Sequence, residues 1–148
     1  MKKRKKKSPV QKLHDKASAL WKEYCYLRDG KRCMVRKHFP GIKIAHTDVY
    51  QVDHCITRAN KLLFYNTSNG TVVCNSCNRA KGYKNKSIGR AIDEIVKLRE
   101  GEEAFDDMVA IDRKMSQNHN WNKVWYLEEI IIGLESQVEF IKHRKELE

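Results

Sequence analysis

At 148 residues the chain is long enough for one domain with an apolar core, or for a compact module with a helical extension, and too short for two independent domains of ordinary size. No stretch approaches the roughly 18 consecutive apolar residues of a membrane span, and the N-terminus is a basic run with no apolar segment behind it, so a soluble, cytoplasmic protein is expected. The formal net charge of +11 is unevenly placed: residues 1–90 hold 22 basic and 5 acidic side chains, and residues 91–148 hold 8 and 14.

The first part is therefore suited to a polyanion. Nucleic acid fits best, because each phosphate neutralised by Lys or Arg releases condensed counterions. An anionic membrane surface fits less well, since no basic amphipathic stretch in the positive half carries the Trp or Leu face of a surface helix.

In chain order, residues 2–7 are six consecutive basic side chains that bury nothing, so residues 1–8 form a disordered arm able to meet phosphate. Ser8 and Pro9 form a helix start, and Val10, Leu13, Ala17, Leu20, Trp21, Tyr24 and Leu27 follow at helical spacing to Gly30. Between Cys33 and Cys74 the helical period is lost, and residues 42–45, 50–54 and 71–73 are short β-branched runs that predict strands. Beyond Gly82 it returns. Ser87 can cap a helix with Ile88, Ala91, Ile92, Ile95 and Leu98 on one face, stopped by Gly101, and a second helix runs from 102 to about 116. A turn at 116–120 leads to a last helix from about 122, whose Val124, Leu127, Ile131, Leu134, Val138 and Ile141 form a seam. That seam can pack within the chain or pair with a second copy.

The fold class predicted is α+β: a leading helix, a strand-loop-strand-helix unit, and about three C-terminal helices. The corresponding segments are 1–8, 9–86 and 87–148. The five cysteines, 25, 33, 55, 74 and 77, are an odd number in a chain without a secretion signal, so no disulfide framework is expected. Cys25 and Cys55 are expected to be buried as small hydrophobes.

The central unit carries the chemistry. Val52-Asp53-His54-Cys55-Ile56-Thr57-Arg58 ends one strand, and the run from Asn69-Gly70 through Cys74-Asn75-Ser76-Cys77-Asn78-Arg79-Ala80-Lys81-Gly82 passes from a second strand into a helix. In order and residue type it resembles the HNH, or ββα-metal, endonucleases: an Asp-His pair, a central Asn, and a closing Asn inside a C-x-x-C segment. The His-x-Ile-x-Arg run at 54–58 and the flanking helices are also similar to the phage NinG (Rap) recombination nucleases, although that family usually shows Gly rather than Asp before the His.

The resemblance implies phosphodiester hydrolysis, with Asp53 and Asn78 as ligands of a catalytic Mg²⁺ or Mn²⁺ and His54 as general base. The residue chemistry agrees. An ordinary imidazole titrates near ~6.5 and can take a proton from water, and Asp and Asn oxygens are hard donors suited to those ions. Neighbours on a strand point to opposite faces, so Asp53 and His54 can share a site only at a strand end. Asn69 is expected to orient the His54 ring or its loop. Arg58, Lys61, Arg79, Lys81, Lys84 and Lys86 are candidate phosphate contacts, or a solvated basic face.

Many HNH relatives hold a structural zinc on two C-x-x-C knuckles. Cys74 and Cys77 supply one, Cys33 opens the other, and Arg36 stands where its partner cysteine belongs, so His38 is the candidate fourth ligand. A redox role for C-x-x-C is disfavoured without a βαβ context. The expected function is cleavage of branched recombination DNA such as Holliday junctions or displacement loops. The alternatives are a non-catalytic zinc-knuckle DNA-binding protein and an HNH enzyme of homing, restriction or nicking type.

Overall fold

The structure, a computed structural model, describes residues 3–83 and 85–148. Helix α1, Pro9–Asp29, begins where the Ser8 side chain accepts from the Gln11 amide, with proline at the first position, and ends at Gly30 with φ 77°. Ala17, Trp21, Cys25 and Asp29 recur every fourth residue as its buried edge. There follow α2 (Met34–His38), β1 (Tyr50–His54), a 3₁₀ turn (Thr67–Asn69), β2 (Gly70–Cys74), α3 (Asn75–Gly82), α4 (Lys86–Glu100), α5 (Glu102–Lys114) and α6 (Val124–Glu146). The chain is thus α+β, with six α-helices and one two-stranded antiparallel sheet among the described residues. None of these helices is long and apolar enough to cross a membrane.

Four local expectations change. The β-branched run at 42–45 forms no strand; Ile42 and Ile44 pack their side chains on the core without a ladder partner. The short α2 breaks into a stretch where no helical period was visible. Asn85, not Ser87, caps α4, its side chain accepting from the amides of Ser87 and Ile88. Helices α5 and α6 are each about one turn or less shorter at the ends facing the 115–123 connection than their periodicity suggested.

Register pairs Tyr50 with Cys74, Val52 with Val72, and His54 with Gly70. A lone two-stranded sheet is marginal in water, and here β2 is buried throughout. Its alternate residues enter different cores. Val72 joins Ala17, Trp21, Cys25, Tyr65, Leu127, Ile131 and Leu134, whereas Val73 joins Val35, Ile88, Ile92, Ile95, Phe105 and Met108. Both cores therefore draw on residues from either side of position 87.

The seam of α6 packs in cis. Leu127, Ile131, Leu134 and Val138 are buried along α1, flanked by Lys16–Glu135 (2.9 Å) and Glu23–Lys142 (2.7 Å) ion pairs. At the other end of α1, buried Asp29 accepts from Arg28 (2.7 Å) and from the Val72 amide (3.1 Å). Arg28 also donates to the carbonyls of Thr67 and Gly70, and Arg99 of α4 donates to that of Ser68. A buried carboxylate is tolerable only when paired in this way, and the network ties α1, α4 and β2 together.

Gly70 marks the closest approach of β2 to α1: a Cβ there would lie 2.5 Å from Cys25 Sγ and 2.7 Å from Trp21 Cζ2. Gly70→Ala is expected to lose about 1–3 kcal/mol by overpacking. Urea unfolding measures it, and an unchanged midpoint would show that α1 is not seated on β2 as described.

Candidate active site and metal centre

The strand end allows what a strand interior would not. Asp53 and His54 close β1, and both line one cavity of about 710 Å³ together with Asn78 of α3. Trp21 and Lys22 of α1, Gln51, Arg58, Phe64 and Lys81 complete most of its wall. Three basic side chains, Lys22, Arg58 and Lys81, face the cavity against the single carboxylate of Asp53.

The imidazole of His54 packs against two aromatic rings, stacked on Trp21 with centroids 4.2 Å apart and tilted against Phe64 at 4.6 Å. Its Nε2 lies 3.0 Å from the Phe64 carbonyl. A carbonyl only accepts, so Nε2 carries the proton and Nδ1 keeps the lone pair. Burial, aided by the nearby Arg58, Lys81 and Lys61 charges, pulls the ring down to about 4, so it is neutral at pH 7.

Asn69 stands behind this arrangement, fully buried and outside the cavity wall. Its amide accepts from the Ile56 amide at 2.6 Å and donates to the carbonyls of Ile56 and Leu63, each at 3.1 Å. It therefore holds the loop that presents Phe64 to His54 and does not bond the ring itself. Asn60, also fully buried, secures the same loop to Asp112 of α5 and caps the Leu62 and Leu63 amides.

Asp53 Oδ2 accepts from Lys81 Nζ at 2.6 Å, and that ammonium also reaches the His54 carbonyl at 2.6 Å. Burial pushes the Asp53 carboxyl above its ordinary range, and Lys81 opposes this. The Asn78 amide nitrogen donates to Gln51 Oε1 at 2.6 Å, which leaves the amide oxygen to accept. Asp53 Oδ1 and Asn78 Oδ1 are thus hard oxygen donors on one cavity, a donor set that fits a small divalent cation.

The expected phosphate contacts divide. Arg58, Arg79 and Lys86 are exposed. Lys81 is turned inward onto Asp53, and Lys61 lies over the rings of Phe64 (4.5 Å) and Trp121 (4.9 Å). Lys84 lies outside the described residues, as do Met1 and Lys2 of the arm.

A second centre forms behind β2. Cys33, His46, Cys74 and Cys77 bring ligand atoms within 4.8 Å of one another and could hold a metal ion. His46, not His38, fills the fourth place: His38 sits exposed in the last turn of α2, while His46 reaches in from the loop before β1. Sulfurs of Cys33 and Cys77 are 3.7 Å apart, and His46 Nδ1 is 3.4 Å from the sulfurs of both Cys74 and Cys77. Tetrahedral edges built on ~2.3 Å sulfur and ~2.0 Å nitrogen bonds would be about 3.8 and 3.5 Å, so these three contacts already stand near metal-bound spacing, with all four ligand atoms inside 4.8 Å.

Burial disfavours a thiolate at Cys74, yet the Thr47 and Cys77 amides and the His46 ring pull it down to about 6. Burial and the neighbouring Cys33 and Cys74 thiols push Cys77 well up. One thiolate is easily held here, and three require a cation among them. Cys25 and Cys55 are buried and free, away from this cluster.

Elemental analysis of the purified protein should find one tightly held metal ion per chain at this centre. His46→Ala should weaken it more than the ~10–100-fold typical of changes behind the ligands, and His38→Ala should leave it unchanged. The reverse pattern would return His38 to the centre. Comparison of the chain with protein-family models, with curated proteins and with solved structures finds no match.

Proposed function

We propose that this protein is a divalent-metal-dependent DNA endonuclease whose β1–β2–α3 unit works as a ββα-metal finger. The observation that carries the reading is the shared cavity: Asp53 and Asn78 offer hard oxygens, and His54 presents a neutral imidazole with its Nδ1 lone pair, among Lys22, Arg58 and Lys81. A lone Asp-His pair has no such significance. Its placement at a strand end, beside an asparagine from the next helix, supports the reading.

Asp53 and Asn78 would hold Mg²⁺ or Mn²⁺, which when bound supplies Lewis-acid stabilisation of the phosphate charge and of the leaving oxygen. His54 Nδ1 takes the proton of the attacking water, its ring held in place by Trp21, Phe64 and the Phe64 carbonyl. Asn69 acts as a positioning residue through the 56–64 loop. Arg58 and Lys22 bind the phosphate backbone, and Lys81 pairs with the Asp53 carboxylate and opposes the upward shift that burial imposes on it. The Cys33, His46, Cys74 and Cys77 centre takes zinc in a structural role, because three buried thiols and one imidazole fill four positions and leave none open for substrate.

The substrate we infer, from the likeness of the central motif and flanking helices to the NinG nucleases, is branched recombination DNA. A second reading has an observation of its own. With His46 the zinc ligand set is complete, as a non-catalytic zinc-knuckle DNA-binding protein would require.

The two readings separate on one variant. His54→Ala should lower cleavage of plasmid and four-way DNA in Mg²⁺ or Mn²⁺ by about 10²–10⁴-fold while retaining DNA affinity and bound zinc. Equal cleavage by wild type and variant would defeat the nuclease mechanism. DNA binding itself should be steeply salt-dependent, losing about 10³-fold between 50 and 200 mM salt if roughly six phosphates are neutralised. A flat response would refute phosphate recognition by the basic half.

A further inference from the structure

The face of α6 turned away from α1 is not spent by the monomer. Trp125, Ile132, Phe140 and Leu147 on it are 50, 67, 70 and 76% exposed. At about 100° per residue they share an arc of about 80°, opposite the buried Leu127, Ile131, Leu134 and Val138. Leu147 caps the helix in α-helical geometry, so the stripe runs the whole length of α6. Single exposed apolar residues are ordinary, whereas four large ones aligned on one helix face are not.

The order along the stripe identifies the occupant. Its positions are Trp125, Glu129, Ile132, Ser136, Phe140, His143 and Leu147, separated by steps of four, three, four, four, three and four. This 11-residue repeat keeps one face of a nearly straight helix in line, and it is the same read from either end. An antiparallel second copy with its two-fold axis at Ser136 puts Trp125 level with Leu147 of that copy, Ile132 with Phe140, Glu129 with His143, and Ser136 with itself. Small Ser136 permits close approach at the crossing.

Charge selects the direction. Residues 124–139 carry Glu128, Glu129, Glu135 and Glu139 and no basic side chain, and residues 140–148 carry Lys142, His143, Arg144 and Lys145 against Glu146 and Glu148, with Glu135 and Lys142 paired to α1. A parallel pair would align like charges along its length, at a cost, while an antiparallel pair sets the acidic stretch of one helix beside the basic end of the other. We infer that the outer face of α6 is a self-complementary surface through which two copies of this chain pair antiparallel about Ser136. Such an isologous contact closes on itself and does not propagate. It stands whether or not the cavity cleaves DNA.

Sedimentation of the full chain should give twice the 17.4 kDa of one chain, and the double variant Ile132→Glu with Phe140→Glu should give one. Both positions are exposed, so circular dichroism should show the variant's fold intact. Mild oxidation of Ser136→Cys should yield disulfide-linked dimers, while Glu128→Cys, about 24 Å from its own copy in this arrangement, should not. A monomer at the highest soluble concentration, a dimer that survives the double variant, or linkage at 128 equal to that at 136 would each overturn the inference.

Discussion

A two-stranded sheet cannot hold itself together in water, and the architecture answers to that constraint. Strand β2 is buried along its full length because its two faces are given to different cores, Val72 to the one under α1 and α6, Val73 to the one under α4 and α5. The leading helix and the C-terminal helices are thereby needed on either side of the same five residues. Gly70 sets how near α1 may come, and the Asp29, Arg28 and Arg99 network fixes the angle at which it arrives. The site inherits that precision: Trp21 lies against Gly70 with one edge and stacks on His54 with its face.

The chemistry of the cavity follows from what is buried and what is left over. Nε2 of His54 is spent on the Phe64 carbonyl, and the Asn78 amide nitrogen is spent on Gln51; the atoms remaining are a nitrogen lone pair and an amide oxygen. Burial keeps the imidazole neutral at pH 7, and by pulling it down to about 4 it also makes the ring a weaker proton acceptor than the ordinary imidazole expected from the sequence. Burial also makes an isolated Asp53 carboxylate costly, and Lys81 offsets that cost at 2.6 Å. Lysine at 81 thus belongs to the balance of charge inside the cavity, where the sequence suggested an outward contact.

Regular elements were legible wherever local signals agreed. Ser8-Pro9 and Gly30 bracket α1, and the period of α4 and the seam of α6 stand where the pattern placed them except at one end of each, where Leu98 and Val124 are exposed instead of buried. The 42–45 run misled because strand propensity means little without a neighbour to pair with. Asp53, His54 and Asn78 could be singled out from order and spacing, and the structure places them on one cavity. His46 could not be found that way. It lies 13 residues beyond Cys33 and 28 before Cys74, joined to them only by the path of the loop after α2, whereas His38 had the nearer spacing and the wrong direction. Trp21, Phe64 and Gln51 were invisible as site residues for the same reason: nothing in their spacing tells which imidazole an aromatic will cover or which amide a glutamine will meet.

The central claim is that Asp53 and Asn78 grip one divalent ion beside His54. Electron paramagnetic resonance of Mn²⁺ titrated into a complex of the His54→Ala protein with a four-way DNA junction tests it most directly. One bound Mn²⁺ per chain, lost when either Asp53→Ala or Asn78→Ala is added while zinc is retained, is the predicted result. Mn²⁺ bound equally well without those two side chains, or not at all with them, would contradict it.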